Sequence, residues 1–420
     1  MRAILLASSA LLLGLAAPVT AKTPEQVAAA ALAAAPVWDG HNDIPMQLRE
    51  RRKNILAGFD FQDTTASADP AKGVIALQTD LKRLRAGKVG AQFWSVYVPA
   101  SLSDPQSVQA TIEQIDVTKR LIAQNSADLQ YCEDSTCVER AMKQGKIASL
   151  LGMEGGHSMG GSLAVLRQLH ELGARYMTLT HSRNNSWADA ATDKPVHGGL
   201  NALGRDVVRE MQRLGMLVDL SHVSEEAMLD ALEVAKAPVI FSHSNALAVS
   251  THPRNVPDSA LDRLKANGGI VMVNFYPLFV VERTRQWNIA RAAERARLDA
   301  LHLGKPAATI AAALAAWDKA NPQPLGSVAD VANHLDHIAR RIGADHVGLG
   351  ADLDGIDNTV VGLEDAAKYP ALFVELARRG WSQADLEKLS SRNMLRVLKA
   401  AEAYAATQKG TPAFENPVSF

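Results

Sequence analysis

The feature that most restricts this chain is the regular return of short apolar runs, most of which close on a residue able to do acid, base or metal chemistry. The runs are VWDGHND (37–43), GAQFWSVYV (90–98), IASLLGMEG (147–155), RYMTLTHS (175–182), MLVDLSH (216–222), PVIFSHS (238–244), GIVMVNFY (269–276) and HVGLGADLDG (346–355). Stretches with helical amphipathic spacing lie between most of them, among them 162–173, 203–215, 224–235 and 328–343. Gly173, Gly215 and Gly343 stand where a helix should stop. Continuous apolar strands alternating with helices predict a parallel sheet covered on both faces. Eight such units fit a (β/α)8 TIM-like barrel; a doubly wound open sheet is the competing arrangement.

The chemistry gathers at the ends of the predicted strands, at His41 and Asp43, Glu154, His181, His222, His243 and Asp352. A single strand-end histidine needs no functional explanation, but a series of them does. Burying so many titratable groups together is costly unless they hold something of opposite charge. The C-terminal mouth of a barrel is where residues from different strands converge. In His41-x-Asp43 the two side chains point to one side of a strand and can serve one metal. His222 and His243 end consecutive strands, and the two oxygens of Glu154 can bridge two ions. The set therefore reads as one site of His41, Asp43 and Glu154 and a second of Glu154, His222 and His243. Imidazole and carboxylate without thiolate suit two Zn²⁺ per chain, with Mn²⁺ or Co²⁺ as alternatives. Such a pair holds a hydroxide as nucleophile and polarises a carbonyl oxygen.

The first 21 residues read as a secretory signal peptide: Met1-Arg2, an apolar run from Ala3 to Ala17, then Val19-Thr20-Ala21 at a cleavage point. No later apolar run reaches the length of about 20 residues that a membrane span needs. The expectation is an exported protein, periplasmic or secreted, with residues 22–420 as a single (β/α)8 metallohydrolase domain. Export permits a bridge between Cys132 and Cys137, although the sequence does not decide between a disulfide and two free thiols. Lys and Arg total 44 against 45 for Asp and Glu, a net charge of −1 with no charge block, which argues against nucleic acid as a partner. Residues 279–326, rich in Ala and Arg, break the rhythm and read as a helical insertion between strands 7 and 8. Such an excursion is a candidate lid, a contact between two copies of the chain in a homodimer, or a solvated helical pair.

One competing motif is present. Gly156-His157-Ser158-Met159-Gly160 matches G-x-S-x-G, the nucleophile elbow of α/β-hydrolases, between a predicted strand and a predicted helix. A serine hydrolase using Ser158 is therefore the alternative enzyme. It leaves the His-x-Asp pair and the serial histidines unexplained and lacks an HGGG-type oxyanion loop. Gly155-x4-Gly160 is followed by Gly161-Ser162 where a phosphate-binding loop needs Lys-Ser/Thr, so nucleotide binding is rejected.

Taken together, WDGHND, GMEGGHS, YMTLTHSRNNSWAD, VDLSHVS, VIFSHSNA, HPRNVPD, GGIVMVNFY and VGLGADLDG resemble the membrane (renal) dipeptidase family, zinc dipeptidases of the amidohydrolase-like barrels. The resemblance runs from about Val37 to Leu398. It implies His41 and Asp43 as first-metal ligands, Glu154 as the bridge, and His222 and His243 as second-metal ligands. It also implies His181 at the substrate carbonyl and its oxyanion, Arg254 at the substrate's C-terminal region, and Asp352 at the free amino group, shuttling a proton to the leaving amine. Tyr276 lies near the mouth by the same pattern. These roles suit a dipeptide, which has a cation, one amide and an anion: an Arg fork matches the carboxylate, and a donor at the oxyanion acts where charge develops. Two departures bear on substrate preference. The family's usual GGDFDG reads GADLDG here, and the 279–326 segment replaces a shorter connection. Acceptance of C-terminal D-residues, and opening of certain β-lactams, are further expectations from the resemblance.

Overall fold

The structure is a computed structural model that describes residues 22–68 and 76–417. The 1–21 segment read as a signal peptide lies outside the described residues. Among the described residues nine strands form, all parallel: β1 Val37–Asn42, β2 Val89–Ser95, β3 Leu129–Tyr131, β4 Ile147–Glu154, β5 Ala174–Thr178, β6 Leu217–Asp219, β7 Ile240–Phe241, β8 Ile270–Val273 and β9 Val347–Leu349. Eight of them fall in the eight predicted runs. The order is β2-β1-β9-β8-β7-β6-β5-β4, and β2 also pairs with β4 from Ala91↔Ala148 to Ser95↔Gly152. That pairing closes the sheet into a (β/α)8 TIM-like barrel and excludes the open doubly wound alternative. The extra strand β3 lies beside the first half of β4, while β5 takes the same side of its second half.

Barrel strands are covered inside and out, which is why the runs are apolar without alternation. Every residue of β1, β2, β4, β6, β7, β8 and β9 is buried. Trp38, Phe93, Tyr176, Leu150 and Met272 belong to one core cluster, with Trp38 5.9 Å from Phe93 and Phe93 4.9 Å from Tyr176 between ring centres. Tyr176 on β5 hydrogen-bonds across to Gly40 on β1, although the two strands are not neighbours. It must therefore cross the interior. Gly152 on β4 gives it room: a Cβ there would sit 2.0 Å from the Tyr176 ring.

Helices Leu163–Glu171, Ala202–Leu214 and Val328–Ile342 end within two residues of the three predicted glycines. Asn201 caps the second of these at its start by accepting from Gly204 N–H, and Gly215 closes it in the left-handed conformation, φ 82°. The 279–326 segment contains helices Glu282–Leu301 and Ala307–Ala320, placed between β8 and β9. They pack on each other through Leu298, Ile310 and Leu314, with an Arg291–Asp318 ion pair alongside. Cys132 and Cys137 form a disulfide, resolving the choice left open above. Among the described residues, no helix is long and apolar enough to cross a membrane.

Because Gly152 faces a ring that cannot retreat, Gly152→Ala should overpack the barrel and destabilise it by about 1–3 kcal/mol. Denaturant unfolding monitored by circular dichroism measures this, and unchanged stability would show that the interior yields there.

Candidate metal centre

The predicted side chains meet at the C-terminal mouth of the barrel. His41 belongs to β1, Asp43 stands at the N-cap position of the helix that follows without its side chain capping it, and Glu154 is the last residue of β4. His181, His222, His243 and Asp352 lie two or three residues beyond the ends of β5, β6, β7 and β9. His222 and Asp352 adopt left-handed backbone, φ 69° and 64°, a region uncommon for residues other than glycine although Asp and His enter it more readily than most. Strain of this kind collects at functional sites.

Glu154 organises the cluster, and its two oxygens face different donor sets. Oε2 lies 3.4 Å from His41 Nε2, which is in turn 3.3 Å from Asp43 Oδ2. Oε1 lies 3.1 Å from His222 Nε2 and 3.5 Å from His243 Nε2, and those two nitrogens are 2.8 Å apart. Donors bound about 2.0–2.1 Å from a tetrahedral ion stand about 3.3 Å from one another, a spacing that Glu154, His222 and His243 approach pairwise. Donor atoms within 4.8 Å of one another also form the groups His41–Glu154–His243, Glu154–His181–His222 and His41–Asp43–Asp352, a division that differs from the two sets expected from the sequence. His181 Nε2 is a further neighbour, 3.6 Å from Oε1. The sets also touch, since the His41 and His243 rings are 3.9 Å apart. His41 Nε2 and Asp43 Oδ1 are buried without a hydrogen-bond partner, a costly state that an ion would relieve.

The electrostatics point the same way. Burial opposes charge on His41, yet Tyr176, Glu154 and Asp43 raise its pKa well above the imidazole range. This corner thus demands positive charge, which a divalent cation supplies in place of a proton. Burial also opposes ionisation of Glu154, but His41 and His181 hold it well below the usual carboxylate range. Burial, followed by Arg254, keeps His222 well below the normal range. Burial and then His41 and Arg254 do the same for His243, leaving both imidazoles neutral as ligands must be. Burial pushes His181 down to about 4. Asp352 is raised well above the carboxylate range by burial and the nearby Asp43 and Glu154, against the pull of His41.

Further hydrogen-bond partners hold several of these side chains in place. His41 Nδ1 meets the Tyr176 hydroxyl at 2.8 Å; that hydroxyl donates to the Gly40 carbonyl, so it accepts from Nδ1–H and leaves Nε2 free to face the cluster. Asn274 Nδ2 donates to Asp352 Oδ2 at 2.8 Å. Arg254 is 2% exposed; its guanidinium lies 5.3 Å from the centre of the Phe279 ring and reaches Ser244 Oγ and the His243 carbonyl. A cavity of about 200 Å³ opens over the cluster, with Asp43, Glu154, His181, His222 and Asp352 exposed to it and Tyr276 in its wall.

A family model described as membrane dipeptidase, peptidase family M19, matches residues 25–411. The chain belongs to the membrane dipeptidase family. It is a metallo-dipeptidase of the M19 type. It is 42% identical over 390 residues to "Dipeptidase tcpJ" of Claviceps purpurea, covering 90% of this chain and 80% of that protein. It is 40% identical over 395 residues to an uncharacterized dipeptidase of Schizosaccharomyces pombe, with 90% and 84% covered. In fold, it resembles the probable dipeptidase PvdM of Pseudomonas aeruginosa at TM-score 0.75 and 20% identity, covering 91% of this chain and 99% of that one. It also resembles a metallo peptidase of Rhodobacter sphaeroides liganded with a phosphinate mimic of L-Ala-D-Ala, at TM-score 0.68 and 23% identity, with 87% and 99% covered.

The serine-hydrolase alternative fails in this dipeptidase for a local reason. Gly156–Met159 is a short 3₁₀ turn in which Ser158 is fully buried and its hydroxyl has no hydrogen-bond partner, so no base activates it. His157, next to it, is bonded through Nε2 to the Val98 carbonyl. Sequence reasoning missed Tyr97, whose ring lies 4.8 Å from that of His181, as well as Phe279, Met46 and Ile356 in the cavity wall. Tyr97 was within reach: it sits in the predicted 90–98 run, but β2 stops at Ser95, leaving Tyr97 just past a strand end.

Ser158→Ala should leave dipeptidase activity within about twofold of the parent. A loss comparable to removal of a nucleophile, about 10⁶-fold in kcat, would restore the serine mechanism.

Proposed function

We propose that this metallo-dipeptidase hydrolyses the amide of free dipeptides at a pair of zinc ions, and that the reading extends to dipeptides ending in a D-residue. The observation that carries it is Glu154, with Oε2 turned to His41, which itself adjoins Asp43, and Oε1 turned to His222 and His243. His41, Asp43 and Glu154 would hold one ion, and Glu154, His222 and His243 the other, with Mn²⁺ or Co²⁺ as substitutes. When bound, such a pair supplies Lewis acidity and a water acidic enough to act as nucleophile at neutral pH.

The chain's own residues do the rest. Asp352 Oδ1, 4.0 Å from His41 Nε2, faces the reacting region while Asn274 holds Oδ2. Its raised pKa suits it to keep the proton lost by the attacking water and pass it to the leaving amine. The same carboxyl group, with Asp43 nearby, attracts the substrate's ammonium. His181 is neutral at physiological pH and presents Nε2 to the carbonyl oxygen, donating as negative charge develops. Arg254 takes the terminal carboxylate, with its planar guanidinium 5.3 Å from the centre of the Phe279 ring. Tyr276 walls the same region. With a cation site and an anion site fixed on either side of one amide, dipeptides fit better than longer peptides. The D-residue extension draws support from the Rhodobacter sphaeroides relative, whose ligand mimics L-Ala-D-Ala. Export to the periplasm or medium, with residues 1–21 as the signal, is part of this reading and is supported by the Cys132–Cys137 disulfide.

A chelator should abolish turnover of a dipeptide library, with activity returning on addition of Zn²⁺; activity indifferent to chelation sinks the metal reading. Asp352→Asn should lower kcat by about 10²–10⁴-fold while elemental analysis still finds two ions. Unchanged turnover would remove Asp352 from the proton path. His222→Ala should leave close to one ion per chain, and two ions would strike His222 from the ligand set.

A further inference from the structure

Beneath the ligand layer lies a carboxylate that the mechanism above does not use. Asp219, the last residue of β6, is fully buried, and four donors converge on it. Oδ1 accepts the backbone N–H of Ser221 at 3.1 Å and of Ser242 at 2.8 Å. Oδ2 accepts the hydroxyls of Ser242, at 2.6 Å, and of Thr178. The Ser242 oxygen in turn lies 2.8 Å from His243 Nδ1. His243 is thus the end of a three-membered chain that begins at Asp219.

The direction of that chain is forced. A carboxylate taking four donors offers only acceptor sites, so Ser242 must spend its single proton on Asp219. Ser242 Oγ can then only accept from His243, which places the imidazole proton on Nδ1. Nε2 is left with its lone pair facing Glu154 Oε1 and His222 Nε2. We infer that Asp219 is a positioning residue that, through Ser242, fixes the tautomer of His243 and so readies its Nε2 to bind a cation. This rests on the proposed role of His243 as a ligand. The device parallels Tyr176 at His41, where a hydroxyl committed to the Gly40 carbonyl has the same effect, but here the hydroxyl is committed to a buried acid.

Substituting asparagine reverses the chain with almost no change of shape. The two backbone N–H groups at Oδ1 cannot turn away, so the amide oxygen of residue 219 must take that position. Its NH₂ then faces Ser242 and donates to Oγ. The Ser242 proton rotates to His243 Nδ1, and the imidazole proton moves to Nε2, where it blocks the lone pair. Loss of an orienting carboxylate that sets a histidine tautomer has this character in other sites.

The test uses the full-length mature protein, stripped of metal and then titrated. Nitrogen-15 NMR of the apo protein should show His243 protonated on Nδ1 in the parent and on Nε2 in Asp219→Asn. Zn²⁺ titration against a chromophoric chelator should show the weaker of the bound ions losing about 10–100-fold in affinity in Asp219→Asn. Ser242→Ala, which removes the link and leaves Asp219 in place, should give a mixture of the two tautomers and a smaller loss. An Asp219→Asn protein that keeps the parent tautomer and affinity overturns the inference. Should Asp219→Asn fail to fold, Ser242→Ala decides: parent tautomer and affinity in that variant overturn the inference equally. A parent protein that binds no Zn²⁺ would instead defeat the binuclear reading, and the apo tautomer comparison would still judge the relay.

Discussion

The pairing of β2 with β4 is the interaction on which the site depends. Without it the sheet has two free edges, and His41 and Glu154 belong to strands at opposite ends of an open row. With it, Ser95 on β2 lies beside the end of β4 and its hydroxyl donates to Glu154 Oε2 at 3.2 Å. Closure also makes an interior, and only an interior lets a β5 tyrosine reach a β1 histidine. The tight fit of Tyr176 over Gly152 is therefore part of how the mouth is built, although both residues lie below it.

Around that mouth the molecule has accumulated buried charge that a protein alone does not tolerate well. Three carboxylates and four imidazoles converge, each deprived of most of its water. The pKa directions divide according to what each group needs: His41 and Asp352 move toward keeping a proton, whereas Glu154 and the histidines around Oε1 move toward losing one. The donors supply a framework whose chemistry suits a cation. Buried polar clusters of this kind rest on fully satisfied supports. Asp39 serves that end at β1, where its oxygens accept from His41 N–H, Ala351 N–H, Gln92 and the Tyr369 hydroxyl.

Much of this was legible in one sequence because barrel strands and strand ends leave separate signatures. Burial on both faces makes the strands apolar throughout, and the polar residues that interrupt them mark the mouth. β3 escaped because LQY is too short and too polar to carry the pattern; it earns strand status only by lying along β4. The residues that meet at the mouth were legible as a set, and the resemblance supplied the roles proposed for them. What spacing cannot give is which groups share a nitrogen-to-oxygen contact, so the closeness of His41 to His243 and of His181 to Glu154 comes only from the fold. The walls of the cavity were harder still. Met46, Phe279 and Ile356 are ordinary apolar residues on connecting segments, and nothing in their chemistry sets them apart. The G-x-S-x-G match shows the converse: five residues in a familiar order, with the central hydroxyl sealed away from any base.

The left-handed turns at His222 and Asp352 carry a consequence for the barrel's mouth. Each holds a side chain where glycine would rest more comfortably, although Asp and His tolerate the region better than most residues. Glycine at either position would relax the backbone and take a side chain away from the mouth. Backbone ease and a furnished mouth thus pull in opposite directions at these two turns.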